Sequence, residues 1–255
     1  MRHDAAARSK SAPSMITMDA INNTFKWLFL PRGYPESVSE DYFAYQLWDT
    51  LQGFCGYLKG IILTLSFLKG LGVGSADGSL DSAMLVWIYR DTTGVVAGLV
   101  AGMPTFTGQF SDRKQLRKWR LISEAIRMGA GVVEIWAAYH APPEHFMVLA
   151  CVVIALNTVA GVMGSQTRSS LVSHFARTNN ISDCAAKEGN QDRGVKVFGI
   201  PLALVLLKMV GNHPNFPIIA YSVLVVAQFS LNILAVRALR LEDTPSAKRK
   251  GTKRN

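Results

Sequence analysis

Three stretches of this chain contain no lysine or arginine, although basic residues outnumber acidic ones 27 to 18. They are Gly74 to Ser82, His140 to His145 and Asn212 to Pro217. Cysteine is scarce as well. Cys55, Cys151 and Cys184 are odd in number and far apart, which excludes a disulfide framework and a C-x-x-C pair. Two of them fall in apolar stretches, where a thiol packs as a small hydrophobe. There is no alternating strand pattern, no regular repeat and no visible cleavable signal peptide. The G-x-S-x-G elbow, H-E-x-x-H and the P-loop are missing. Gly70-Leu-Gly72-Val-Gly74 contains a G-x-G, but no strand pattern precedes it and the third glycine is misplaced. His140, His145, His174 and His213 lack ligand spacing, so no metal and no other cofactor is expected. These absences together predict a protein that is not an enzyme.

What is present is six apolar stretches whose connecting segments alternate between basic and free of basic charge. Arg2, Arg8, Lys10, Lys26 and Arg32 precede the first stretch. Arg113, Lys114, Arg117, Lys118 and Arg120 follow the second, and Arg168, Arg177, Lys187, Arg193 and Lys196 follow the fourth. Seven more lie after the sixth, so 22 of the 27 basic residues share one notional side. Membrane insertion sorts charge in this way, because short loops rich in Lys and Arg stay on the cytoplasmic side or its organellar equivalent. The net charge of +9 is therefore assigned to an anionic lipid surface, and no nucleic-acid partner is expected. The expected fold is all-α, a polytopic membrane helix bundle of about six spans with both termini on the basic side. A mean hydropathy of +0.18 is low for such a protein. It leaves open a soluble helical globule with buried apolar helices.

The spans are predicted at Leu51–Val73, Ala83–Met103, Leu121–Tyr139, Phe146–Gly164, Val195–Val210 and Ile218–Val236. About 20 apolar residues cross the ~30 Å hydrocarbon core, and backbone in lipid must satisfy its own hydrogen bonds, so the spans should be helices. Residues 1–24 are expected to be a disordered N-terminal segment, 25–240 the membrane domain and 241–255 a basic disordered tail. Met15 to Leu30 is nevertheless apolar enough for a short interfacial helix, which Pro31 to Pro35 would break. Tyr42, Phe43, Tyr45 and Trp48 suit the headgroup level or an ordinary core. Gly94, Gly98 and Gly102, and likewise Gly56 and Gly60, recur every four residues, a spacing that lets helices approach closely in lipid.

Charges inside apolar stretches are the candidate functional residues. Lys59, Lys69, Arg90, Arg127 and Lys208 are accompanied by Asp91, Glu124 and Glu134. A charge at the bilayer centre costs about 2.5–3.5 kcal/mol even on insertion scales, so such groups face one another or a wet cavity. Glu124, Arg127 and Glu134 fall within roughly 80° of each other on a helix. With Arg90 and Asp91 they predict a polar seam between spans two and three. The seam either lines a binding cavity or transfer path, or locks two helices in register.

Gly108 through Lys118 resembles the loop between helices two and three of major facilitator transporters. Six spans would be one half of such a carrier, and those halves work in pairs. A closer resemblance runs over residues 25–240. Phe29-Leu-Pro-Arg-Gly-Tyr-Pro-Glu-Ser-Val-Ser-Glu-Asp41-Tyr42, continuing through Trp48-Asp49 and Leu51-Gln52, resembles the opening of the root UVB sensitive (RUS) family. So do Gly161 to Leu171, His174, Ala176-Arg177, Asn180, Asp183 and Ala186 to Gln191. Trp87 with Arg90-Asp91, and Lys118-Trp119-Arg120-Leu121, are similar to further family blocks. An Asn-Asp pair usual near Arg127-Met128 is missing here.

The resemblance implies a membrane-associated protein linked to UV-B-dependent root growth, auxin transport and vitamin B6 homeostasis, and it supplies no chemical activity. It leads us to expect an integral membrane protein that moves or senses a small polar solute, in an organelle the sequence leaves open. The alternative is a membrane scaffold. A basic-side ligand or partner surface would comprise Asp41, Asp49, Arg168, His174, Asp183, Lys187 and Gln191. Expected partners are membrane lipid, drawn to Lys248–Arg254, and a second copy or another RUS family member.

Overall fold

The structure, a computed structural model, describes residues 13–73, 80–110, 112, 115–212 and 215–241. The described residues form eight helices: α1 (Pro13–Phe29), α2 (Tyr42–Gly70), α3 (Leu80–Ala101), α4 (Pro104–Phe110), α5 (Leu116–His140), α6 (Pro143–Phe175), α7 (Ile181–Asn212) and α8 (Phe216–Ala238). An isolated antiparallel bridge joins Val38 to Ala176.

Each of the six predicted spans lies on a helix, but three helices outrun their apolar stretch. α2 begins nine residues before Leu51 and takes in the aromatic cluster; α6 runs on to Phe175; α7 begins at Ile181, fourteen residues before Val195. Polar turns of a helix cost nothing where they lie beyond the hydrocarbon, so apolarity underestimates helix length. α2 stops where Gly72 takes φ +73°, and the Gly72 and Val73 amides donate to the Lys69 and Leu68 carbonyls. That left-handed residue satisfies the orphan carbonyls of the last turn. Pro142-Pro143 starts α6, as its missing N–H would be unbonded there in any case. Residues 13–24, expected to be disordered, belong to helix α1. Residues 1–12, the basic tail from 242 onward, Arg113, Lys114 and His213 lie outside the described residues.

Among the described residues four helices, α2, α3, α6 and α8, are long and apolar enough to cross a membrane. α5 and α7 carry more charge than such a helix: Arg117, Lys118, Arg120, Glu124, Arg127 and Glu134 on one, and Asp183, Lys187, Glu188, Asp192, Arg193 and Lys196 on the other. Many large apolar side chains point outward, among them Leu85, Ile88, Val95 and Leu99 of α3 and Val197, Phe198, Leu204 and Val205 of α7. A surface of this kind suits lipid and weighs against a soluble globule.

α2 is central, packing on α8, α7 and α5, while α6 packs on α5 and α3. Small residues set the close contacts. A methyl group on Gly94 would come within 3.1 Å of Ile154, and one on Gly98 within 3.2 Å of Thr158, so this pair of glycines seats α3 on α6. The stripe on α2 divides: Gly56 meets Gln228 of α8, and Gly60 faces open space. The largest apolar cluster gathers Val38, Tyr42, Tyr45, Leu116, Leu171, Phe175 and Leu239 where α2, α5, α6 and α8 meet the N-terminal loop. Smaller ones form around Phe67 and Phe146, and around Ile62, Ile135 and Tyr221.

Candidate functional site

Between these clusters lies a cavity of about 760 Å³, lined by polar and charged side chains of α2, α3, α5, α6, α7 and α8. Its lining on α2 runs from Asp49 to Leu68 at helical spacing. Those nineteen steps cover ~28 Å at 1.5 Å per residue, close to the ~30 Å hydrocarbon thickness.

Ion pairs divide the cavity into levels. At the end nearer the N-terminus of α2, Arg120 bonds Asp49, and Arg168 holds Glu188 at 2.6 Å and Asp192 at 2.7 Å, tying α6 to α7. In the middle, Glu124 faces the Lys59 ammonium at 3.8 Å and accepts a hydrogen bond from the Gln228 side-chain amide. At the far end, Arg90 of α3 lies 3.4 Å from Glu134 of α5, with its guanidinium 4.1 Å from the centre of the Phe67 ring. Arg127 lines the same space, is exposed to it, and has no carboxylate partner among the described residues.

Of the residues predicted for the seam, Arg90, Glu124, Arg127 and Glu134 all line the cavity. It is wider than two helices, because α2 and α8 contribute Lys59 and Gln228. Asp91 is corrected: it is exposed on α3 and lies outside the lining. One residue step turns a helix by 100°, so Arg90 and Asp91 cannot share one narrow face.

The seven residues predicted as a ligand or partner surface are not gathered in one place. Asp49 and Arg168 line the cavity, in the pairs just described. Asp41 and His174 belong to a buried clasp. The Asp41 carboxylate accepts from the Ser39 hydroxyl at 2.6 Å and the Arg240 backbone amide at 2.8 Å, and lies 3.0 Å from His174 Nε2. Burial pushes this carboxyl up, but the bonds from His174, Ser39 and Arg240 outweigh it and hold it at about 2. Asp183 accepts from the Arg32 backbone amide at 2.7 Å. Lys187, Asn190 and Gln191 donate to the carbonyls of Trp27, Leu28 and Phe29, the last two bonds at 2.9 Å each. They satisfy the orphan carbonyls at the end of α1. Around them Ser39 N bonds Phe175 O at 3.0 Å, and Arg177 N bonds Ser37 O at 3.1 Å. The two sequence blocks at 29–52 and 161–191 are therefore two sides of one internal joint.

Sequence reasoning missed Glu188, Asp192 and Gln228, and left Lys59 out of the seam. Glu188 and Asp192 are one turn apart and reach the same arginine. Gln228 carried a signal of its own, as one of two amides, with Asn232, inside a mostly apolar helix.

A family model described as "Vitamin B6 photo-protection and homoeostasis domain" matches residues 17–248. The chain is 32% identical over 188 residues to "RUS family member 1" of Dictyostelium discoideum, covering 74% of this chain and 35% of that protein. It is 31% identical over 213 residues to "Protein root UVB sensitive 3" of Arabidopsis thaliana, covering 84% of this chain and 47% of that protein. With "Protein root UVB sensitive 2, chloroplastic" of the same plant it shares 25% over 199 residues, 78% of this chain and 44% of that protein. The chain thus spans between a third and a half of the length of these relatives. No solved structure gives a significant match.

Proposed function

The chain belongs to the root UVB sensitive family, and from that premise we propose that it is an integral membrane protein whose cavity admits a small polar solute for transport or sensing. The observation that carries this reading is the charged lining that follows α2 for nearly the thickness of a bilayer. A structural lock needs ion pairs but no space. Here four pairs surround about 760 Å³, within the ~300–1,000 Å³ usual for small-molecule sites. The family description makes vitamin B6 compounds the first solutes to test.

On this reading α5 and α7 cross the membrane too, giving six spans with both termini on the basic side. The charges of α5 at Arg120, Glu124, Arg127 and Glu134 all face the cavity, so a helix too polar for lipid has a wet side to present them to. Six spans provide half of a carrier-like pathway, and a second copy or another family member would complete it. The scaffold reading has less support, because Asp183, Lys187 and Gln191 are engaged in the internal joint.

Flux of pyridoxine into proteoliposomes is the test. The wild-type chain should take it up, and Arg90→Ala should lose most of that uptake. Thr64→Cys should react from one side with a charged thiol reagent, since Thr64 lines the cavity. A sealed Thr64→Cys together with no flux would refute the reading.

A further inference from the structure

We propose that Arg127 is the docking point for a small organic anion, carboxylate or phosphate, and that the Gln52 and Gln228 side-chain carbonyls receive hydrogen bonds from hydroxyl or amino groups on the same molecule. The proposal deepens the cavity reading and rests on it.

Charge balance is the first argument. Five cations line the cavity: Lys59, Arg90, Arg120, Arg127 and Arg168. Four of them face carboxylates at Glu124, Glu134, Asp49 and the Glu188/Asp192 pair. Arg127 has none among the described residues, and a guanidinium does not lose its proton to become neutral. An unmatched charge inside an apolar stretch is costly unless a counter-ion reaches it. Every carboxylate in the lining is already engaged, so among the described residues none is left for Arg127, and a dissolved anion would supply the match.

Shape is the second argument. The Arg127 side chain lies against the glycine face of α6. A methyl group on Gly164 would stand 3.1 Å from Arg127 Nη2, and one on Gly161 3.9 Å away. Glycine at these two positions gives the guanidinium a fixed seat and leaves it exposed to the cavity. A planar fork held this way matches two anionic oxygens at once.

The third argument comes from unpaired acceptors. Gln52 and Gln228 line the cavity, are only 5% exposed, and each has a carbonyl oxygen without a hydrogen-bond donor. A buried acceptor left unpaired costs about 1–3 kcal/mol. Gln228 also bonds Glu124, one helical turn from Arg127 on α5, which places an anion site and an acceptor around the same stretch of cavity. An anion that also carries hydroxyl or amino donors meets both demands, and a simple inorganic anion meets only the first.

Equilibrium binding to the full chain in non-ionic detergent tests this, with pyridoxine 5′-phosphate, pyridoxine, benzoate and inorganic phosphate as probes. The phosphate ester should bind tighter than pyridoxine by roughly tenfold or more, the size of one charge-assisted hydrogen bond. Benzoate competition would extend the site to carboxylates; phosphate ester binding that benzoate leaves untouched would restrict it to phosphates. Arg127→Gln should erase the preference while pyridoxine binding persists, and Arg127→Lys should keep part of it. Gly164→Ala, which pushes on the guanidinium without removing it, should weaken the ester alone and guards against misfolding of the charge variants. Gln228→Leu should weaken the ester and pyridoxine alike and leave benzoate unchanged. Equal binding of ester and pyridoxine by the wild type, or a preference that survives Arg127→Gln, overturns the proposal. In either case pyridoxine flux sensitive to Arg90→Ala would still stand, so the two readings fail separately.

Discussion

Replacing Asp41 by Asn should loosen the joint between the N-terminal loop, the end of α6 and the end of α8, and it should do so in a pH-dependent way. The wild-type carboxylate is 4% exposed and engages Ser39, His174 and the Arg240 amide. Its ordinary value of 3.8 falls to about 2, although burial alone pushes the other way. At ~1.36 kcal/mol per tenfold change in proton affinity, the ionised form contributes roughly 2 kcal/mol to the folded state. Because the folded value is the depressed one, that contribution is complete above about pH 4 and is lost as pH falls towards 2. Thermal unfolding in detergent, followed by intrinsic fluorescence, should show Asp41→Asn about 5 °C below wild type at pH 7. The gap should narrow between about pH 4 and pH 2. Ser39→Ala should add little to Asp41→Asn, since both remove the same interaction. No gap at pH 7, or a gap of constant width down to pH 2, would refute the reasoning.

Three further outcomes follow from close contacts. A methyl group on Gly131 would stand 2.0 Å from the Tyr221 hydroxyl, which donates to Met128 O at 3.0 Å. Gly131→Ala should therefore destabilise by about 1–3 kcal/mol, and adding Tyr221→Phe should recover part of the loss in a double-mutant cycle. Gly98→Leu should force α3 away from Thr158, and a cysteine pair placed across α3 and α6 should then lose its cross-link. Lys187→Met should free the carbonyl of Trp27, and limited proteolysis should cut after residues of α1 faster than in the wild type, with Gln191→Leu acting in the same direction.

The helices themselves were legible because membrane-type burial leaves a one-dimensional record. A run of apolar residues at Phe146–Gly164 or Ile218–Val236 excludes water on every side, whatever it packs against, and the helices found there match to within a few residues apart from the polar extension of α6 to Phe175. The cavity charges were partly legible for a related reason. Arg90, Glu124, Arg127 and Glu134 are conspicuous by their surroundings, and their helical phase could be counted. Asp91 is equally conspicuous in sequence, yet it faces outward, because a neighbour 100° away is decided by where α6 sits against α3. Lys187 and Gln191 read as a ligand surface because a polar residue beside an apolar stretch looks the same whether it meets solvent or a helix end. Their partners, the carbonyls of α1, are 160 and 162 positions away.

Sequence by itself determined the all-helical class, the positions of the apolar helices, the family and the presence of charge inside apolar stretches, since each is written in local composition and spacing. Tertiary structure alone decided that Lys59 faces Glu124, that Arg127 rests on Gly164 with no carboxylate partner among the described residues, and that the 29–52 and 161–191 blocks close on each other. The physical reason is range. Burial and helix phase act over a few residues, whereas ion pairing and cavity formation depend on which helices meet, and this chain brings together residues more than a hundred positions apart.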